Sequence, residues 1–200
     1  MKNRVKFGFS WMILLSVVLL SGCATSYVNG ATKEISASEF KKPEELHPVQ
    51  LLFEFQTNGV ANDVATDYLK EQVLNQIKLS GLFTNVSAQP VTGGALLSLT
   101  LNNVAITDAA VSQGTVTGLT LGLVGSEITD GYVCTGSYMY DASSQAIEKS
   151  ASHAIFTILG NASAPPNAIK TANADEAVTM MTRQIVSNVL NDLSLDPSFK

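Results

Sequence analysis

Charge is scarce in this chain. Asp, Glu, Lys and Arg make up 14% of its 200 residues, and there are only two cysteines and two histidines. Each shortage narrows the field. Twelve basic residues against seventeen acidic ones give a net charge of −5, which argues against nucleic acid as a partner and against charge-driven adhesion to anionic headgroups. No His-Glu-x-x-His, paired cysteines or calcium-binding loop is present, so a metal site of those kinds has no support. No Gly-x-Ser-x-Gly elbow marks out a serine, and Gly93-Gly94 and Gly118, Gly122 and Gly125 lack the Lys-Ser/Thr of a phosphate loop. His47 precedes Pro48, while His153 falls in an expected strand. The carboxylates Glu54, Asp108, Glu127, Asp130 and Asp141 gather toward strand ends and read as solvated charges, the alternative being an acid/base pair for sugar hydrolysis. Cys134, in Tyr-Val-Cys-Thr-Gly-Ser-Tyr, reads as a small buried apolar residue. No neighbouring His or basic side chain in the sequence would activate it.

The chain's most informative stretch is its start. Lys2, Arg4 and Lys6 give a basic opening. Phe7 to Leu20 is apolar apart from Gly8, Ser10 and Ser16, and small residues then precede Cys23. That is the layout of a secretory signal peptide. The apolar run, about 14 residues, is shorter than the roughly 20 needed to span a bilayer. Ala24 to Pro48 contains no stop-transfer pattern, so residues 1–22 are expected to be removed. Loss of three basic residues leaves nine against seventeen acidic ones, a net −8.

Leu20-Ser21-Gly22-Cys23 resembles, position by position, the lipobox Leu-[Ala/Ser]-[Gly/Ala]-Cys of bacterial lipoproteins. The resemblance implies cleavage between Gly22 and Cys23, a diacylglycerol on the Cys23 thiol and an acyl chain on its new amino group, with no other cofactor. Several acyl chains hold a protein to a membrane where one binds only marginally. Ala24, where Asp would favour the inner membrane, points within that family to the outer membrane and its periplasmic face. The competing readings are an uncleaved helix and an ordinary signal cut near Ala24.

Along the rest of the chain, residues 23–48 lack a sustained period and read as a lipidated tether ahead of a domain over 49–196. Val49 to Gln56 alternates as a strand. Asn62 or Asp63 caps a helix to about Leu79 with Ala65, Leu69, Val73 and Ile77 four apart and Tyr68 and Leu74 widening the stripe. Leu82 to Ala88 reads as a short strand and Ala95 to Thr107 as a long one. In the long strand the apolar phase slips near Asn102-Asn103, predicting a β-bulge. Residues 114–125 form an uncharged Gly/Thr/Leu run, too short and glycine-rich for a spanning helix. It is either an internally packed connection or a surface that meets membrane or a second subunit. Tyr132 to Asp141 and Ala146 to Leu159 read as a hairpin around Asp141–Ser144. Asn173 and Glu176 resemble a capping box opening a helix to about Leu193.

Two singly striped helices call for a sheet to lie on. The fold expected is α+β, a single mixed sheet of about five strands with both helices on one face. The lipobox and this order of elements resemble outer-membrane lipoproteins built on the fold of the TolB amino-terminal domain and the curli-secretion lipoprotein. Gly81-Leu-Phe-Thr-Asn-Val is a shared short word. The surface-exclusion lipoproteins of conjugative plasmids share the order, with a much longer apolar insert. The expected function is that of a lipid-anchored accessory protein, not an enzyme, whose periplasmic domain binds or helps assemble an envelope protein or polymer. Leu119, Leu121, Leu123, Tyr132, Tyr138 and Tyr140 form the candidate contact surface. A self-assembling transport, pore or surface-exclusion component using 114–125 is the first alternative, and a periplasmic hydrolase the second. An oligomer fits either non-enzymatic reading.

Overall fold

The computed structural model describes residues 24–105 and 127–200. The signal peptide, the Gly22-Cys23 cleavage site and Leu119, Leu121 and Leu123 lie outside the described residues. The elements are β1 (Ala24–Val28), β2 (Val49–Thr57), β3 (Val60–Ala61), α1 (Asp63–Leu79), β4 (Val86–Ser87), β5 (Ala95–Ala105), β6 (Glu127–Met139), β7 (Ile147–Leu159), β8 (Ile169–Lys170) and α2 (Ala174–Ser194). The architecture is α+β, with one mixed sheet in the order β3-β2-β5-β6-β7-β1-β8 and β4 sharing the outer edge of β2 with β3. Among the described residues the sheet has eight strands where about five were expected. The additions β1, β3 and β8 are short, and their strand character comes from their partners rather than from any alternation of their own.

The crossover through α1 makes β2 and β5 parallel, while β5, β6, β7 and β1 follow antiparallel. One sheet face carries Leu51, Phe55, Leu97, Leu99, Leu101, Cys134 and Tyr138. Over it lie Leu69, Val73 and Ile77 of α1 and Met181, Ile185, Val189 and Leu193 of α2. The two helices touch through Gln72 and Gln76, whose amides donate to the Thr179 and Arg183 carbonyls at 2.9 and 2.8 Å. The Asn62 and Asn173 side chains cap the helices by accepting from Ala65 N and Glu176 N at 3.0 and 2.8 Å. Tyr68 does not widen the buried stripe. It is 57% exposed and shares the outer face of α1 with exposed Val64 and Leu79.

The phase slip in β5 is not a bulge. The β5–β6 ladder runs unbroken from Leu96↔Met139 to Ala105↔Asp130. The apolar side changes because the covered face changes. Beyond Leu101, Val104 packs with Ala154, Phe156, Ile158 and Tyr27 in a second cluster on the helix-free face, closed by Ala164 and Ala168 of the loop after β7.

Residues 24–48 are no tether. Ala24 opens β1, which pairs along β7 from Ala24↔Leu159 to Val28↔Ile155. The chain then runs along α2 as a strap. Ile35 N donates to Ser187 Oγ at 2.9 Å, the Asn188 amide to the Lys33 carbonyl at 2.8 Å, and Lys41 N to Ser194 Oγ at 3.2 Å, with Phe40 buried. The folded body also continues past 196, since Phe199 is buried against Tyr138, ring centroids 4.7 Å apart.

Candidate functional site

The alternation of Tyr132, Cys134 and Tyr138 in β6 places them on the helix-covered face. Tyr132 is 6% exposed and Tyr138 1%, so neither is open to a partner, which corrects the expectation that they belong to a contact surface. Alternation names a face without saying which face is roofed. Burial, helped by the Asp130 charge, raises the Tyr132 hydroxyl well above its ordinary range, and burial lifts that of Tyr138 to about 12. Cys134 is a fully buried thiol, pushed up to about 12 by desolvation. His153 is also fully enclosed, with Nε2 2.8 Å from Gln184 Oε1 and Nδ1 accepting from Ala154 N at 2.8 Å. These contacts fix the Nε2–H tautomer, and burial lowers the imidazole pKa. From that position it cannot reach a substrate at the surface. Glu54 stands within β2, while Asp130 and Asp141 stand at opposite ends of β6. Asp108 and the Glu127 side chain lie outside the described residues, and no ion pair or hydrogen bond links Glu54, Asp130 and Asp141 to one another.

Tyr140 reaches a surface concavity that buried Tyr138 also lines. It follows β6 at the sheet end where β7 begins. Here the turn is tied by Asp141 Oδ1, which accepts from Ser143 N and Oγ at 2.8 and 2.7 Å; these bonds hold the Asp141 carboxyl below the usual range. The Tyr140 ring meets His47 edge to face, centroids 4.9 Å apart, and Lys200 Nζ stands 5.7 Å from its centroid. His47 is positioned by the entry to β2, where its carbonyl accepts from Thr84 N at 3.1 Å. Lys200 is positioned by Phe199, whose ring lies against Phe83 and Tyr138, and by the Tyr138 hydroxyl, which donates to the Lys200 carbonyl. Lys149 bridges to Asp196 at 2.7 Å and joins β7 to the end of α2. Around Tyr140 these groups shape a cleft of about 630 Å³ lined by Ile147, Glu148, Lys149, Asp196 and Lys200. An adjoining recess of about 430 Å³ is lined by Lys41, Lys42, Glu44 and His47.

The cleft and its adjoining recess together offer an amphipathic ring, an imidazole and charges of both signs, a set suited to holding an extended polar chain with an apolar anchor. His47 and residues 197–200 carried no periodic signal in the sequence, and only the fold brings them to Tyr140. A more apolar recess of about 700 Å³, lined by Leu52, Phe53, Leu74 and Ala88, lies at the outer edge of β2. There β3 and β4 pair only with residues 56–57 and 49–50. Among the described residues no group of three or more His, Cys, Asp or Glu side chains could hold a metal ion, and no helix is long and apolar enough to cross a membrane.

No family model and no curated protein matches the chain. Among solved structures it is similar to a protein described as a neuraminyllactose-binding hemagglutinin homolog from Helicobacter pylori, at 13% identity and a TM-score of 0.40, covering 80% of this chain and 88% of that one. It is also similar to two PelC dodecamer structures from Paraburkholderia phytofirmans. Both are at 12% identity, covering 88% of this chain and 99% of theirs, with TM-scores of 0.37 and 0.35. No site residue is carried over from these likenesses.

Proposed function

We propose that this chain is a lipid-anchored envelope protein. It is held at Cys23 on the periplasmic face of the outer membrane and binds another envelope protein or polymer without catalysing a reaction on it. The observation that carries the reading is the join between sequence and fold. The lipobox ends at Cys23, and Ala24, the next residue, is the first of a paired strand. An acylated cysteine there would hold the folded body directly. β6 alone is 13 residues long, which places the Tyr140 cleft about 40 Å from that end, clear of the membrane and open to a partner. The contact surface is accordingly the Tyr140 cleft rather than the tyrosine face as a whole.

Two measurements test this. Mass spectrometry of the native protein should find Cys23 as the acylated N-terminus, and Cys23→Ser should move the chain from the membrane fraction to the soluble one. An unmodified thiol in a chain that still sediments with membranes would overturn the anchor. A photo-crosslinking residue at Tyr140 should yield an adduct with one envelope component, while the same residue at Thr135, on the helix-free face, should not. Equal labelling from both positions would remove the cleft from the reading.

One observation favours the self-assembling alternative. The outer face of α1 exposes Val64 at 83%, Leu79 at 79% and Tyr68 at 57%, apolar surface of the kind a second copy covers. Sedimentation of the detergent-solubilised protein distinguishes the two. An assembly that dissociates on Val64→Glu would favour this alternative, and a monomer at all concentrations would dismiss it.

A further inference from the structure

Four chain ends emerge together from the sheet. β1 begins at Ala24 opposite Leu159, where β7 stops. β6 begins at Glu127 opposite Ile158, and β5 stops at Ala105 opposite Asp130. These rows fall within four residue steps of one another, roughly 13 Å along the strands. The covalent chain therefore requires Cys23 and both ends of residues 106–126 to meet this one end of the molecule. Between Asp108 and Glu127 the sequence has no charged residue and contains Leu119, Leu121, Leu123 and Val124. The same end presents apolar side chains in the described part of the fold. Leu159 is 49% exposed, and Ile169, paired with Val28 four rows further in, is 39% exposed.

Whether this end touches the bilayer depends on the length of the spacer, and there is almost none. A strand residue advances about 3.3 Å, so an acylated Cys23 lies one step from the last paired row. Acyl chains seated in a leaflet would then hold that row against the headgroups. The attraction cannot be electrostatic, given a net charge of −8 after removal of residues 1–22. It must come from the lipid chains and from apolar side chains at the contact.

We propose that the sheet end bearing Ala24, Leu159 and Ile169 is a bilayer-apposed surface. The protein stands on the membrane in one fixed orientation, with the Tyr140 cleft pointing away. This rests on the anchored reading above, and adds that attachment is rigid and two-sided rather than a swinging tether.

Single introduced cysteines test it, because Cys134 is fully buried and Cys23 is consumed by acylation. Full-length acylated protein carrying Leu159→Cys, Ile169→Cys or Ser143→Cys is labelled with a fluorophore. It is then incorporated into phosphatidylethanolamine–phosphatidylglycerol vesicles containing a lipid-bound quencher. Quenching several-fold stronger at 159 and 169 than at 143, at the opposite end, is the expected result. Equal quenching, or stronger quenching at 143, overturns the orientation. Vesicle flotation separates the two ideas. A chain that floats through acylated Cys23 but is unquenched at 159 overturns this inference alone, and a native chain that floats with its Cys23 thiol unmodified overturns the anchor as well. Limited proteolysis of the unsubstituted protein gives a second readout. The loop 160–166 should be protected on vesicles and cleaved in detergent, and cleavage at equal rates in both would overturn the inference.

Discussion

At Gly136 the sheet and α2 approach closely. A Cβ built there would stand 2.5 Å from Val189 Cγ1 and 3.2 Å from Leu99 Cδ2. Gly136→Ala should therefore force α2 outward and cost about 1–3 kcal/mol, read as a lower midpoint in urea. Thr182 presents the opposite case. Its hydroxyl is buried without a hydrogen-bond partner, so Thr182→Val, nearly isosteric, should stabilise by about 1 kcal/mol. A lower melting temperature for that variant would show that the hydroxyl has a partner. His153 makes stability depend on pH. Its folded pKa is depressed below the ordinary 6.5 by burial, so the unfolded chain binds more protons in the window just below that value. The contribution is intact above pH 6.5 and declines as pH falls through it toward the folded pKa. Urea midpoints should therefore fall between about pH 7 and about pH 5, and Gln184→Glu, which sets a carboxylate against Nε2, should shrink or reverse that fall. At this scale the sequence was readable for Cys134, whose strand context and lack of charged neighbours indicated burial. It was not readable for Tyr132 and Tyr138, because side chains alternating on one face look alike whether that face meets helices or water.

Among the elements, both helices were legible, for a physical reason. Each has a side-chain cap and a four-residue apolar spacing, both local properties of the chain. β5, β6 and β7 were legible because they alternate over many residues. β1 was not. Ala-Thr-Ser-Tyr-Val gains its meaning from β7, which takes Val28 into the main core and Tyr27 into the second cluster. The supposed bulge failed on the same ground, since a change of apolar phase reports which face is covered and not the register of the ladder. The strap over 31–42 is held largely by hydroxyls and an amide on α2, interactions no periodicity announces. Ser187→Ala together with Ser194→Ala removes the acceptors for Ile35 N and Lys41 N, at about 1 kcal/mol each. The doubly substituted protein should be cleaved by trypsin at Lys33 or Lys41 faster than the parent, with α2 itself still folded by circular dichroism. Unchanged cleavage would mean that buried Phe40, the Asn188 amide and the Arg183–Glu34 ion pair secure the strap without these hydroxyls.

For the molecule as a whole, the proposed anchor at Cys23 gains its consequence from the first strand, which begins at the next residue, Ala24. A flexible tether would let the domain sample all orientations and would leave its surface chemistry irrelevant to the bilayer. A strand that begins at residue 24 couples the anchor to the axis of the sheet and makes one end proximal and the other distal. The uncharged run at 114–125 then matters by its composition. Burying each of its leucines in lipid would contribute about 1.5–3 kcal/mol, available only if the sheet end lies at the membrane. Inserting about ten Gly/Ser residues between Cys23 and Ala24, a coil spanning about 17 Å, separates these effects. The extended protein should remain in the membrane fraction, since acylation is untouched, yet lose much of the lipid quenching at a label on Leu159→Cys. If quenching survives, the sheet end holds itself to lipid without help from the anchor. Adding Leu119→Ser, Leu121→Ser and Leu123→Ser to the extended chain should then abolish it.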